Sequence, residues 1–114
     1  MPDTEPLQIA ETVRGFAFTE GVDRYDVKWS IQKSSLATED CIWFGVDNAD
    51  PQIMVSDAVK LGLDIGDREI CGWMQYEVPK EVLMKTRMHL TREMVAQMLP
   101  ILQRFVDTGE IYDA

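Results

Sequence analysis

Residues 82–110, VLMKTRMHLTREMVAQMLPILQRFVDTGE, change their hydrophobic period midway, and that change constrains the fold more than any other feature of the chain. Val82, Met84, Thr86, Met88 and Leu90 fall on one side of a two-residue repeat, with Leu83, Lys85, Arg87 and His89 on the other. Further on, Met94, Val95, Met98, Leu99, Leu102, Phe105 and Val106 recur at helical spacing. Alternation belongs to a strand and three-to-four spacing to an amphipathic helix, so a strand is expected to run straight into a helix. Thr91 stands at the junction as an N-cap. Glu93 follows in the first turn, where a carboxylate meets the positive end of the helix dipole. Gly109 occupies the place of a C′ glycine. Pro100 lacks the amide proton an interior helical residue donates, which costs about 3 kcal/mol in an unadapted helix. Because the apolar stripe continues past it, a kink rather than a break is expected.

The preceding chain reads as short strands and turns. GFAFT (15–19) is a strand with Phe16 and Phe18 on one face, and EGVDR (20–24) a turn. YDVKWSIQKSS (25–35) alternates, with Tyr25, Val27, Trp29 and Ile31 opposite Asp26, Lys28, Ser30 and Gln32. SSLATED (34–40) is a loop, CIWFGV (41–46) a strand buried on both faces, and DNADP (47–51) a turn. Residues 52–63 fit either a one-turn helix capped by Ser56 and ended by Gly62, or a strand through Met54 and Val55. CGWMQYEVP (71–79) reads as an extended connection that packs Trp73 and Tyr76. Residues 1–12, with Pro2 and Pro6, read as a loose N-terminal arm. The expected class is α+β: one domain over 1–114, a small, mostly antiparallel sheet with the C-terminal amphipathic helix packed on one face.

Hydrophobic residues make up 46% and charged residues 27%, which places the chain among globular rather than disordered proteins. No apolar run reaches the roughly 18 residues of a membrane span, and the acidic N-terminus has no apolar core of a secretory signal. The expectation is a cytoplasmic protein. Cys41 and Cys71 form no CxxC pair and there is a single histidine, so no metal site or cofactor is expected and both thiols read as buried. The net charge of −9 disfavours binding to a nucleic-acid backbone, because such affinity comes from cations that neutralise phosphates.

Charge is spread unevenly. Glu39, Asp40, Asp47, Asp50, Asp57, Asp64 and Asp67 make an acidic series suited to a basic partner. Lys28, Gln32, Lys85, Arg87 and His89 would meet on the sheet face the helix leaves open and suit a small anion. The serines and lysine of SIQKSSLATED would also offer donors to an anion, although a polar loop is the plainer reading. Trp29, Trp43 and Trp73 read as packing residues, any one of which would serve as a stacking platform. No GxSxG, P-loop or GxGxxG motif is present, and nothing selects a catalytic pair, so no enzyme is expected.

SIQKSSLATEDCIWFG, GWMQYEVPKEVLMKTRMHL and LTREMVAQMLPILQRFVDTGE together resemble a family of small proteins encoded by bacteriophages and prophages. These motifs cover residues 30–45 and 72–110, about half of the chain. The resemblance implies expression in the cytoplasm of an infected or lysogenised bacterium and brings no catalytic residue. Three roles fit: stoichiometric binding of a host protein, such as a defence protein, through the acidic surface; sequestration of a small anion or signalling nucleotide on the basic sheet face; or an accessory place in the virion. A homo-oligomer is compatible with all three.

Overall fold

The computed structural model describes residues 5–112. The chain divides into two compact units, one made by the chain up to Asp47 and from Thr86 onward, the other by Asn48–Lys85. The class is α+β. In the first unit, β1 (Ile9–Glu11), β2 (Ala17–Val22), β3 (Lys28–Lys33), β4 (Cys41–Val46) and a last strand (Arg87–Thr91) form one antiparallel sheet. In the second, β5 (Gln52–Met54) pairs with β6 (Trp73–Gln75), and α1 (Val55–Lys60) lies between them in sequence. The last strand of the five-stranded sheet is therefore β7, and α2 (Arg92–Thr108) follows it directly. Sheet order is β1-β2-β3-β4-β7, so the segment that enters as β7 completes an edge beside β4.

Each strand boundary has a local cause. The β2–β3 turn falls later than the sequence pattern indicates. Asp23 accepts bonds from the amides of Tyr25 (2.7 Å) and Val27 (3.0 Å), and Asp26 takes a left-handed φ of 64°. A carboxylate that bonds the backbone two residues on makes an Asx-type turn. Glu20 to Val22 thus extend β2, and Tyr25 and Val27 lie exposed in the turn rather than on the apolar strand face. The 34–40 loop is as expected. It is closed by a 2.9 Å bond from the Ser34 amide to the Cys41 carbonyl and by a 2.9 Å Lys33–Asp40 salt bridge. Lys33 beside Asp40 holds that carboxyl below its usual value.

The N-terminal arm is shorter than the sequence indicates. Residues 1–4 lie outside the described residues, whereas Ile9–Glu11 pairs with β2 through a turn closed by Thr12 and Gly15. Residues 52–63 contain both alternatives in succession: strand to Met54, then helix from Val55. Ser56 does not cap it. The N-cap position falls to Met54 without a side-chain bond, while the Val55 amide donates to the Gly72 carbonyl. Val55 and Ala58 are the buried apolar residues of this unit, and Asp50 ties its two strands by accepting from Gln52 and Gln75.

The alternation over residues 82–90 is only half realised. β7 begins at Arg87, and Val82, Leu83 and Met84 are exposed. The register explains the limit. β4 has six residues, and its pairing from Cys41–Thr91 to Gly45–Arg87 takes five of them, leaving only Val46 beyond. An alternating segment with no strand beside it has no ladder to join. Trp73 and Tyr76, expected to pack, are likewise exposed. Cys41 is buried, and burial pushes its thiol upward with the Glu39 carboxylate adding to the effect, but Cys71 is exposed rather than buried.

The strand-to-helix junction forms as its sequence dictates. Thr91 Oγ1 accepts from the Met94 amide at 3.2 Å, and Gly109 closes the helix in a left-handed conformation with its amide on the Phe105 carbonyl. α2 continues unbroken through Pro100 and packs against β7. The apolar stripe, however, is not a buried core: Met94, Leu99, Leu102, Phe105 and Val106 are exposed, and Val95 and Met98 half-buried. A groove of about 360 Å³ separates Val95 and Leu99 from Ile42 and Leu90 of the sheet. Among the described residues no helix is long and apolar enough to cross a membrane.

Gly45 fixes how closely β7 approaches. A Cβ there would clash with the carbonyl of Thr86 and lie 2.8 Å from Arg87 Cα, both backbone atoms that cannot swing away. Gly45→Ala is expected to cost about 1–3 kcal/mol in urea unfolding, the usual penalty for forcing backbone apart. An unchanged midpoint would show that β7 is not held at this distance.

Candidate functional site

Antiparallel register sorts the sheet into two unlike faces, because directly paired residues point the same way. One row runs Ile9, Thr19, Ile31, Phe44, Met88. Trp29, Ile42 and Leu90 share its face, where Trp29 and Phe44 meet at 6.0 Å. The opposite face carries the row Phe18, Gln32, Trp43, His89 and, one step along, Glu20, Ser30, Gly45, Arg87. Lys28 stands on the same face at the far end of β3.

The sequence-predicted basic set is therefore mostly assembled. Lys28, Gln32, Arg87 and His89 share one face, and Gln32 and His89 flank Trp43 directly. Lys85 does not join them, because it precedes β7 and belongs to the 48–85 unit. His89 and Trp43 stack, with ring centroids 4.1 Å apart and planes inclined by 17°. His89 Nε2 lies 2.9 Å from Oγ of buried Ser34, which fixes the imidazole against the indole. The Arg87 guanidinium sits 5.8 Å from the centroid of the Trp43 ring. Cation and ring attract at this distance, so the guanidinium is held over the indole with donors to spare.

Sequence reasoning missed two members. The β1–β2 turn places Arg14 over the Phe16 ring at 5.5 Å, on a face where Phe16 continues the Phe18 alternation. Phe16, Arg14, Thr12, Gln32, Ser35 and Trp43 line a cavity of about 360 Å³. Volumes from about 300 Å³ suit small-molecule sites, which combine aromatic walls with a few polar groups. Among the described residues, neither Arg14 nor Arg87 is in an ion pair. The signal for Arg14 was the Thr12–Gly15 turn itself, which returns the chain onto β2. Ser34 and Ser35 of the polar loop enter the site, one as a support for His89 and the other as a wall.

The acidic series does not gather in the same way. Glu39, Asp40 and Asp47 belong to one unit and Asp50, Asp57, Asp64 and Asp67 to the other. Several carboxylates are used locally: Asp40 on Lys33, Asp50 on two glutamines, Asp57 on Lys60 at 3.9 Å, and Asp64 on the Gly66 amide. Among the described residues no group of three or more His, Cys, Asp or Glu is placed to hold a metal ion. No family model, curated protein or solved structure matches the chain.

The Trp43–His89 stack is expected to contribute about 0.5–1.5 kcal/mol beyond its buried area, the range for aromatic pairs. A double-mutant cycle with Trp43→Leu and His89→Ala measures it. A coupling near zero would leave the two rings merely adjacent.

Proposed function

We propose that this chain is a non-catalytic binding protein whose polar sheet face takes an aromatic anion of the nucleotide class. The observation that supports this reading is the cavity lined by Phe16 and Trp43, with one guanidinium over each ring. A base inserts by stacking, which is worth about 1–3 kcal/mol per base and tolerates any base because each has a π-face. Phosphate or carboxylate oxygens meet Arg14 and Arg87, whose planar forks donate paired hydrogen bonds. Gln32 offers an amide that donates and accepts, which suits a base edge. The ligand is small because a net charge of −9 opposes a long polyanion, whereas two local cations suffice for one or two phosphates.

Such a protein acts by stoichiometry. In the bacterial cytoplasm implied by the phage-type motifs, it would withdraw a nucleotide signal from circulation rather than convert it. Docking of the acidic series on a basic host protein receives less support, since those carboxylates fall on two units and are partly engaged within them.

Thermal unfolding against mononucleotides, dinucleotides, nucleosides and inorganic phosphate tests the reading. A nucleotide at about 100 times its Kd stabilises the native state by about 2.7 kcal/mol and raises Tm accordingly. Arg87→Ala and Trp43→Leu are expected to remove the rise, and Lys85→Ala to leave it. A flat panel, or an equal shift from phosphate alone, would sink the proposal.

A further inference from the structure

On the other side of the first unit, α2 presents an apolar arc that the rest of that unit leaves largely uncovered. Met94, Leu99, Ile101, Leu102, Phe105 and Val106 are each 45–57% exposed. At 100° per residue, these six with Val95 and Met98 span an arc of about 160°, and Pro100 stands at the opposite pole. The order of these residues is its own mirror image. Counting outward from Pro100, Leu99 and Ile101 match, then Met98 and Leu102, then Gln97 and Gln103, then Val95 and Phe105, then Met94 and Val106. The pair passed over, Ala96 and Arg104, lies off the arc and does not match; within the arc, every apolar position has an apolar position at the same distance on the other side, as an arc centred opposite Pro100 requires.

We infer that α2 is a self-association surface, on which a second copy of this chain lays its own α2 antiparallel about a dyad at Pro100. An isologous interface must be self-complementary, because one patch meets itself after a two-fold rotation. An antiparallel pair centred on residue 100 sets residue 100−n level with residue 100+n of the partner, diagonally across the contact, so each level of the seam holds apolar residues from both copies. Pro100 faces away from the contact, so the helical hydrogen bond it cannot donate is lost outside the seam. The glutamines at 97 and 103 border the seam, one on each flank. Antiparallel helices also oppose their dipoles favourably.

The area suffices. With large side chains of about 150–250 Å² each, half-exposed, the six residues offer roughly 600 Å² per chain. A pair would bury about 1,200 Å², at the threshold of a specific interface. The groove between α2 and the sheet, where Ile42 and Leu90 face Val95 and Leu99, adds apolar surface continuous with the arc. The opposite helix face is of mixed charge, with Glu93 and Asp107 beside Arg104, and has no cationic stripe to draw the helix onto an anionic membrane. This self-association is independent of the nucleotide site, which lies on the other face of the sheet.

Sedimentation equilibrium of the full chain from about 1 to 200 μM reads the mass directly. The expected species is twice 13.0 kDa. Leu102→Asp is expected to raise the dimer dissociation constant at least about 30-fold, as loss of a central apolar anchor does. Cross-linking on the Cys71→Ser background reads the direction and does not depend on that variant folding. Val95→Cys with Phe105→Cys is expected to form interchain disulfides on mild oxidation, and Val95→Cys alone to form none, since ten residues along the helix separate the two copies of position 95 by about 15 Å. A chain that stays at 13.0 kDa throughout, a dimer unaffected by Leu102→Asp, or ready cross-linking of Val95→Cys alone would overturn the inference.

Discussion

β4 is the strand on which the rest of the first unit depends. It is paired on both sides, with β3 through five residue pairs and with β7 through five more, and β7 reaches it only after the whole 48–85 unit has been traversed. The pairing with β7 is a long-range contact of high loop-closure cost, so it needs a specific reward. Part of that reward is side-chain contact across the pair: Trp43 on His89, Phe44 opposite Met88, and Ile42 opposite Leu90. Gly45 lets the two backbones close at the upper end, and the Thr91 cap starts α2 at the lower end. One strand pair therefore positions Arg87, His89 and the helix together.

Charge and surface are divided by the same register. The chain holds 20 acidic against 11 basic residues, yet the polar face of the sheet holds arginines on aromatic rings. An arginine on a ring is ordered at low entropic cost and keeps its hydrogen-bonding edge available. The apolar face looks the other way, where α2 packs at β7 and leaves its own arc exposed. The proposed anion site and the proposed self-association surface thus lie on opposite faces of the sheet and would not compete.

Much of this was legible in the sequence, and the exceptions have physical reasons. The helix limits at Thr91 and Gly109 follow from capping chemistry that acts within a few residues. CIWFGV gave a strand of the length found, and the period-two pattern put Lys28, Gln32, Arg87 and His89 on one face. Lys85 was misplaced because alternation shows only that a segment can be a strand, whereas a ladder requires a partner. The helix was expected to pack its apolar stripe, Leu102 and Phe105 included, on the sheet because amphipathicity demands cover for an apolar arc without saying that the same chain supplies it. Arg14 escaped notice, and Phe16 was read only as a strand residue, because the β1–β2 turn is made by backbone bonds and a left-handed glycine rather than by a hydrophobic period.

The three tryptophans make the account directly measurable, because Trp43 lies on the polar face, Trp29 on the apolar face, and Trp73 in the 48–85 unit. In a ¹H–¹⁵N correlation spectrum each gives a separate indole N–H signal. Titration with a nucleoside phosphate is predicted to shift the Trp43 signal saturably and to leave those of Trp29 and Trp73 in place. Movement of Trp29 or Trp73 with Trp43 silent, or no movement at all, would contradict the assignment of the site to the Arg14–Trp43–Arg87 face.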